Sequence, residues 1–161
     1  MAKMKIGFGY DVHQLAEGYD LCIGGIKIPH LKGTVGHSDG DVLIHAICDA
    51  LLGAASLRDI GYHFPDNDPS LKGIDSKILL RRTLDHLKEK GYTVGNIDAT
   101  VCLQKPKVQG FIPSMQETLA GVLQIPVEDI SIKATTTEKL GFVGNESGIS
   151  AYAVVLIEKA V

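Results

Sequence analysis

The sequence has no tryptophan, few aromatic side chains (6%) and only three cysteines. Cys22, Cys48 and Cys102 are odd in number, lie far apart and form no C-x-x-C pair, which argues against a disulfide framework and a zinc knuckle. There is no apolar run as long as a membrane span, no N-terminal signal segment and no basic block. We therefore expect a cytoplasmic protein that binds neither membrane nor nucleic acid.

What remains is the composition of an ordinary globular protein. The chain has 161 residues, of which 45% are hydrophobic and 22% charged, and its formal net charge is −3. A chain of this length can bury roughly 68–70% of its unfolded surface. We predict a single catalytic domain over residues 1–161. Since such a domain needs no metal to fold, a metal site here would serve chemistry.

Hydrophobic periodicity predicts an α+β protein with strands and helices in mixed order. The predicted strands are residues 5–13, 21–23, 26–28, 92–103, 129–137 and 149–158, with Gly24-Gly25 as a hairpin turn between the second and third. The predicted helices are residues 38–57 with Ser38 or Asp39 as N-cap, a second from Asp75 or Ser76 to Gly91, and residues 112–123. Residues 58–73 should form a long functional loop, and residues 138–145 an irregular segment.

Asp11 and His13 suggest a metal site near the N-terminus. The period of two in a strand puts both side chains on one face, and the first helix could supply His45 as a third ligand. Three protein ligands would leave one coordination position open, which suits catalysis on an anionic substrate. The alternative is a surface aspartate beside a hydrogen-bonded histidine, the more common meaning of D-x-H taken alone.

A stripe of polar residues on the first helix bears on the same site. Asp41, His45 and Asp49 are spaced four residues apart, so a carboxylate one turn away could hold the second imidazole nitrogen of His45. A solvated helix face would give the same pattern.

Two segments could bind phosphate. Residues 135–138, Thr-Thr-Thr-Glu, follow a strand and offer hydroxyls, backbone N–H groups and a carboxylate for a second metal, or else form a helix capping box. His37 lies where the first helix begins and could donate to a phosphate oxygen there. Lys107 at another strand end could reach a diphosphate, or simply face solvent.

The carboxylates of the long loop have two interpretations. Asp59, Asp66 and Asp68 could bind hydroxyls of a sugar-like substrate, or form Asx turns beside the loop prolines.

Five motifs along the chain resemble those of one family. They are G-x-G-Y-D-V-H at 7–13, H-S-D-G-D-V at 37–42, D-I-G at 59–61, F-P-D-N-D at 64–68 and K-A-T-T-T-E-K-L-G-F at 133–142. In this order they resemble the 2-C-methyl-D-erythritol 2,4-cyclodiphosphate synthase family over essentially the whole chain. The resemblance implies a homotrimer with active sites between subunits. We accordingly expect a mixed β-sheet covered by helices on one face, its other face packed around the three-fold axis.

The resemblance also implies a reaction of the non-mevalonate route to isoprenoid precursors. The 2-phosphate of 4-diphosphocytidyl-2-C-methyl-D-erythritol 2-phosphate would attack the β-phosphorus, closing a cyclic diphosphate and expelling CMP, as in a lyase. Asp11, His13 and His45 match the family's zinc ligands, with the β-phosphate as fourth ligand. Glu138 would hold Mg²⁺ or Mn²⁺ bridging the α- and β-phosphates. Two cations would offset the repulsion between the phosphates.

Further positions carry over from the family as expectations. His37 and Thr136 match positions that stabilise the transition state. The methylerythritol phosphate would contact Ser38, Asp59, Ile60, Gly61, Phe64, Pro65, Asp66, Asn67 and Asp68. The cytidine diphosphate would contact Leu103, Gln104, Lys105, Pro106, Lys107, Val108, Gln109, Ala134, Thr135 and Thr136. The other expected substrate positions are Asp11, Val12, His13, His37, Thr137, Glu138, Phe142 and Asn145.

One position departs from the family pattern. Many members carry arginine where this chain has Asn145, near a channel on the three-fold axis that can hold isoprenoid diphosphates. Without that permanent cation, anion binding in the channel is disfavoured.

Two other functions fit the same residues. A metal-dependent phosphohydrolase would use the ion to activate water and release linear phosphates. A non-catalytic trimeric metal-binding module would need the metal for folding, so His45→Ala would unfold it.

Overall fold

A five-stranded β-sheet forms the centre of the fold in the computed structural model, which describes residues 3–160. In spatial order the strands are β4 (Lys32–Val35), β1 (Met4–Glu17), β7 (Gly148–Lys159), β5 (Tyr92–Cys102) and β6 (Ile130–Thr135). Strands β5 and β6 are parallel, and the other neighbours are antiparallel. A separate hairpin pairs β2 (Leu21–Ile23) with β3 (Ile26–Ile28). The sheet is therefore mixed, as predicted.

Over residues 3–160, three long helices and two single-turn helices accompany the strands. They are α1 (Val42–Ala54), α2 (Ile60–His63), α3 (Ser76–Glu89), α4 (Ile112–Leu123) and α5 (Gly141–Gly144). Single 3₁₀ turns occur at Pro69–Leu71, Gln109–Phe111 and Val127–Asp129. Helix α1 packs on β1 and β7, α3 packs on α1, and α4 packs on α3 and β6. The predicted α+β class is confirmed.

Helix α1 lies unusually close to β1 because two glycines of the strand face it. A Cβ atom at Gly7 would lie 1.8 Å from the carbonyl oxygen of Ala50, and one at Gly9 would lie 1.9 Å from that of Ala46. No side chain fits at such distances, so only glycine permits this approach. The close packing sets the distance at which α1 presents His45 to β1.

The two faces of β1 differ in how far their side chains are exposed to solvent. The face toward α1 carries Gly7, Gly9 and Leu15, which are buried, whereas the alternate positions expose large apolar side chains. Strand β7 pairs with β1 and continues this exposed surface. We call it the outer sheet face and define it by Ile6, Phe8, Tyr10, Val12, Tyr152 and Val154, which are 40–72% exposed.

Helix α1 begins later than predicted. Asp41 is its N-cap and accepts a hydrogen bond from the N–H of Ile44 at 3.0 Å. The prediction of Ser38 or Asp39 as N-cap is wrong, because Gly40 between them and the helix has a φ of +71°. The helix also ends at Ala54 rather than at residue 57.

Most other predicted elements are confirmed with small shifts of their ends. The Gly24-Gly25 turn has positive φ at both residues (+62° and +78°), as a type I′ hairpin requires. Helix α3 has Asp75 as its N-cap, and α4 has the predicted bounds. The long loop contains α2 and a 3₁₀ turn, and the irregular segment contains α5. Between residues 3 and 160, no helix has both the length and the apolar character needed to cross a membrane.

Candidate metal centre and clefts

Asp11, His13 and His45 converge at the sheet face covered by α1. Asp11 Oδ2 lies 2.9 Å from His13 Nε2 and 3.1 Å from His45 Nδ1, and the two nitrogens are 3.2 Å apart. Ligands about 2.0–2.1 Å from a tetrahedral zinc ion lie about 3.3–3.4 Å from one another. The three atoms therefore approximate one face of such a tetrahedron. Within residues 3–160, no fourth His, Cys, Asp or Glu joins this group.

Hydrogen bonds organise the protons of this group. His13 Nδ1 lies 3.2 Å from the carbonyl oxygen of Val35 and donates to it, which leaves Nε2 free to face Asp11 and His45. Burial acts to raise the pKa of Asp11, but hydrogen bonds from both histidines outweigh burial and lower this pKa to about 2. Burial acts to lower the pKa of His13, but the bond and charge of Asp11 raise it above its ordinary value.

The carboxylates predicted to hold the second nitrogen of His45 have other partners. Asp41 is fully buried and accepts the N–H groups of Gly24 (3.0 Å) and Gly25 (2.7 Å) besides capping α1. Asp49 accepts the N–H of Ile60 at 2.7 Å. The prediction for these carboxylates is therefore wrong.

Two serines instead lie at that nitrogen. His45 Nε2 is 2.8 Å from Ser76 Oγ and 3.2 Å from Ser38 Oγ. Neither contact could be derived from the helical spacing of α1, because Ser38 precedes that helix and Ser76 belongs to α3.

A cleft of about 450 Å³, here called the first cleft, opens beside the metal group. Its lining comprises Asp11, His37, Ser38, His45, Ile60, Gly61, Phe64, Pro65, Asp66, Asn67, Leu71, Ile74 and Leu79. Most of these were predicted to contact the methylerythritol phosphate. The last three are apolar residues outside every predicted site: Leu71 fell in the predicted loop, Ile74 in no predicted element and Leu79 in the second predicted helix.

Two of the loop carboxylates form turns. Asp59 accepts the N–H of Tyr62 at 3.3 Å and caps α2, while Asp68 accepts the N–H of Ser70 at 2.9 Å. Neither lines the first cleft. For these two residues the Asx-turn alternative describes the structure, whereas Asp66 lines the first cleft.

His37 connects the start of α1 to the long loop. Its Nε2 donates to the carbonyl oxygen of Asp68 at 2.9 Å, and its own carbonyl accepts the N–H of Gly73 at 2.7 Å. These bonds hold the loop against the first cleft.

A second cleft of about 200 Å³ lies at the ends of β5 and β6. It is lined by Leu103, Gln104, Pro106, Lys107, Val108, Gln109, Ala134, Thr135 and Thr136. These residues were predicted to contact the cytidine diphosphate. Of that predicted set only Lys105 is outside the lining, and its ammonium lies 3.9 Å from the carboxylate of Glu146. The two clefts share no lining residue.

The Thr-Thr-Thr-Glu segment leaves β6 as a tight turn. Thr136 Oγ1 accepts the N–H of Glu138 at 3.2 Å, and Thr137 Oγ1 donates to the carbonyl of Leu140 at 2.7 Å. The next helix, α5, has no side-chain cap, so the capping-box alternative is wrong. Glu138 is exposed, with a φ of +53°, and lies outside the metal group.

Three predicted substrate positions lie elsewhere. Val12 is on the outer sheet face, opposite Asp11 and His13. Phe142 is 46% exposed on α5, and Asn145 accepts the N–H of Ser147 at 3.0 Å as part of the turn into β7. Their contact with substrate stays a prediction.

The fold and this site define a class of α+β proteins in which an open, three-residue candidate metal centre faces a cleft. A family model described as the YgbB family matches residues 4–158. The chain belongs to this family.

Close relatives and solved structures support this family membership. A protein of Bacteroides thetaiotaomicron named 2-C-methyl-D-erythritol 2,4-cyclodiphosphate synthase is 65% identical over 157 residues, covering 98% of this chain and 99% of that protein. A relative of the same name from Cytophaga hutchinsonii is 57% identical, with 98% and 99% covered. IspF of Plasmodium falciparum in a CDP complex superposes with a TM-score of 0.85 at 35% identity, covering 98% and 97%. The bifunctional IspDF of Campylobacter jejuni gives 0.95 at 40% identity, and this chain covers 43% of that protein with 99% of its own length.

Proposed function

We propose that this chain is a 2-C-methyl-D-erythritol 2,4-cyclodiphosphate synthase. It converts 4-diphosphocytidyl-2-C-methyl-D-erythritol 2-phosphate into the cyclic diphosphate and CMP, and is a phosphorus–oxygen lyase of a single catalytic domain over residues 1–161. The observation that carries the proposal is the convergence of Asp11, His13 and His45 beside the first cleft. The 65% identity to proteins of this name supports the choice of this substrate.

The donor set fits a zinc-type divalent ion. One carboxylate oxygen and two imidazole nitrogens are groups that zinc prefers, and their triangle approximates the spacing of a tetrahedral site. Glu138 would hold Mg²⁺ or Mn²⁺, because a single carboxylate plus substrate phosphates is a usual environment for such ions. When bound, the two ions neutralise charge on the diphosphate and so reduce its repulsion of the attacking phosphate.

The protein itself chiefly positions the substrate. A phosphate dianion is already a nucleophile near neutral pH, so no general base is required, and alignment of the 2-phosphate with the β-phosphorus is the main task. Ser38 and the loop residues of the first cleft would hold the methylerythritol phosphate. His37 and Thr136 would stabilise the charge that develops on the phosphates, Thr136 by donating from its hydroxyl and His37 by holding the long loop through its bond to the Asp68 carbonyl.

A homotrimer with active sites between subunits is part of the proposal. In one chain the cytidine-binding and methylerythritol-binding residues line two clefts without a shared residue, so a neighbour's cleft could complete each site. The outer sheet face supplies an apolar surface suited to burial between subunits. Phe142 and Asn145 would then lie near the three-fold channel. The cytoplasmic location stays a prediction from the sequence.

Product analysis tests the function. The purified protein is incubated with the cytidyl diphosphate substrate and zinc plus magnesium, with and without a chelator. We expect CMP and a cyclic diphosphate in equal amounts, and no turnover after chelation. Linear phosphates would instead indicate the phosphohydrolase. A protein that unfolds on chelation and releases no product would be the structural metal-binding module.

A further inference from the structure

We propose that Ser76 and Asp39 are positioning residues that fix the His45 ring so that Nδ1 faces the metal site. The inference rests on the proposed function, because it takes His45 to be a metal ligand. Neither Ser76 nor Asp39 belongs to the metal group or lines either cleft.

The orientation of the ring makes the two nitrogens of His45 unequal. Nδ1 lies 3.1 Å from Asp11 Oδ2 and 3.2 Å from His13 Nε2, whereas Nε2 lies 2.8 Å from Ser76 Oγ. A ligand nitrogen must be unprotonated, so the proton of the neutral ring belongs on Nε2. Nε2–H then donates to Ser76 Oγ.

The hydroxyl of Ser76 is itself oriented. Its O–H donates to a carboxylate oxygen of Asp39, which leaves a lone pair of the hydroxyl oxygen for His45. The chain of donors therefore runs in one direction, from imidazole to hydroxyl to carboxylate. An ionised carboxylate accepts hydrogen bonds but cannot donate one. Asp39 therefore cannot donate to Ser76, and the Ser76 hydroxyl cannot be turned to donate to His45 without losing its bond to Asp39.

Both partners are held in place by the fold. Ser76 is fully buried, and its backbone N–H donates to Asp39 Oδ2 at 2.9 Å. Asp39 Oδ1 also accepts the N–H of Asp41 at 3.1 Å, and the Asp39 N–H donates to the carbonyl of Ile74 at 3.0 Å. The pair thus joins the segment before α1 to the first residue of α3, and His45 Nε2 contacts the Ser76 end of the pair.

Metal affinity should depend on this pair. Removing the hydrogen-bond partner of a ligand histidine typically costs about 10–100-fold in affinity. We expect Ser76→Ala to weaken zinc binding by about that factor, measured by competition with a chromogenic chelator. Asp39→Asn, which keeps the size but removes the charge, should give a smaller loss of the same sign. Ser114→Ala in the first turn of α4 is the matched control and should bind zinc as the wild type does.

A purely structural role is separated by two further measurements. The Co²⁺-substituted protein reports ligand orientation through its visible spectrum, which should change in both site variants and stay unchanged in Ser114→Ala. Thermal unfolding in excess chelator reports stability without metal. A lower melting temperature with wild-type zinc affinity and an unchanged cobalt spectrum would overturn the proposal.

Ser38 is the competing acceptor, since its Oγ lies 3.2 Å from the same nitrogen. A zinc loss in Ser38→Ala equal to that in Ser76→Ala, with Asp39→Asn unaffected, would also overturn the proposal. If the wild type cyclises its substrate and Ser76→Ala keeps full zinc affinity, the positioning role fails while the function stands. If zinc affinity falls as expected but the wild type yields no cyclic product, the function fails and the positioning role stands.

Discussion

Among single side chains, His45 is the ligand that α1 contributes to the metal group, whereas Asp11 and His13 both come from β1. Its replacement by alanine removes one of three ligands from a chain whose core does not depend on the metal. We expect His45→Ala to lose zinc and turnover while keeping its circular dichroism spectrum and its oligomeric state. His30→Ala, at an exposed position, is the control and should resemble the wild type. Unfolding of His45→Ala would favour a structural metal site.

Glu138 provides a second test, because it lies outside the metal group. Glu138→Gln keeps the shape of the side chain but removes the charge that would hold the second ion. We expect kcat to fall by about 10²–10³, the usual cost of losing one electrostatic stabiliser, with zinc content unchanged. Glu128→Gln, on an exposed 3₁₀ turn, serves as control. Wild-type turnover in Glu138→Gln would exclude this residue from the mechanism.

The pKa shifts of Asp11 and His13 predict how pH affects stability. The pKa of Asp11 is lowered from 3.8 to about 2. Its contribution to the stability of the fold is therefore full above pH 3.8 and is lost as the pH falls toward 2. The pKa of His13 is raised above its ordinary value of 6.5. Its contribution to the stability of the fold is therefore full below pH 6.5 and is lost as the pH rises through the raised pKa. Metal binding needs neutral imidazoles and therefore strengthens as pH rises.

The difference in melting temperature between zinc-loaded and chelator-treated protein should consequently be larger at pH 8 than at pH 6. Differential scanning calorimetry at the two pH values measures it. An equal difference at both values would mean that protons do not compete with the metal at these histidines.

Among the elements, the contact between β1 and α1 determines whether the metal group can form. In Gly9→Ala the new methyl group would meet the carbonyl of Ala46, and α1 would have to move away from β1. We expect a loss of about 1–3 kcal/mol in the free energy of unfolding, together with weaker zinc binding. Urea denaturation and chelator competition measure the two effects.

Gly121→Ala is the matched control for this substitution. Gly121 lies within α4, and outside its own turn of helix backbone and its chain neighbours no heavy atom lies within 4 Å of an added Cβ. Alanine there should stabilise the protein by about 0.5–1 kcal/mol through helix propensity. Wild-type zinc affinity in Gly9→Ala would show that the close helix contact is not needed to place His45.

The elements also show what the sequence could predict. Alternation in β1 placed Asp11 and His13 on one face, and the 3.6-residue period placed His45 on a helix that could supply a third ligand. That α1 packs against this face of β1 is seen only in the structure. The N-cap of α1 was missed because Asp39 has its partner, Ser76, far along the chain, and local capping rules do not include such contacts. Strand β4 was missed because it has only four residues, and its pairing with the end of β1 is tertiary.

For the whole molecule, the outer sheet face should decide assembly. Phe8 is 63% exposed in the chain and lies beside Val154 and Tyr152 across the β1–β7 pair. In a trimer packed through this face, Phe8→Glu would bury a charge without a partner, which costs far more than an exposed charge. We expect monomers by light scattering, zinc binding retained within each chain, and cyclisation lost, because the proposed active site needs residues of two subunits. Val127→Glu replaces another exposed apolar residue, 43% exposed and away from this face, and should keep the wild-type assembly and activity. Full activity in a monomeric Phe8→Glu protein would mean that one chain holds a complete active site.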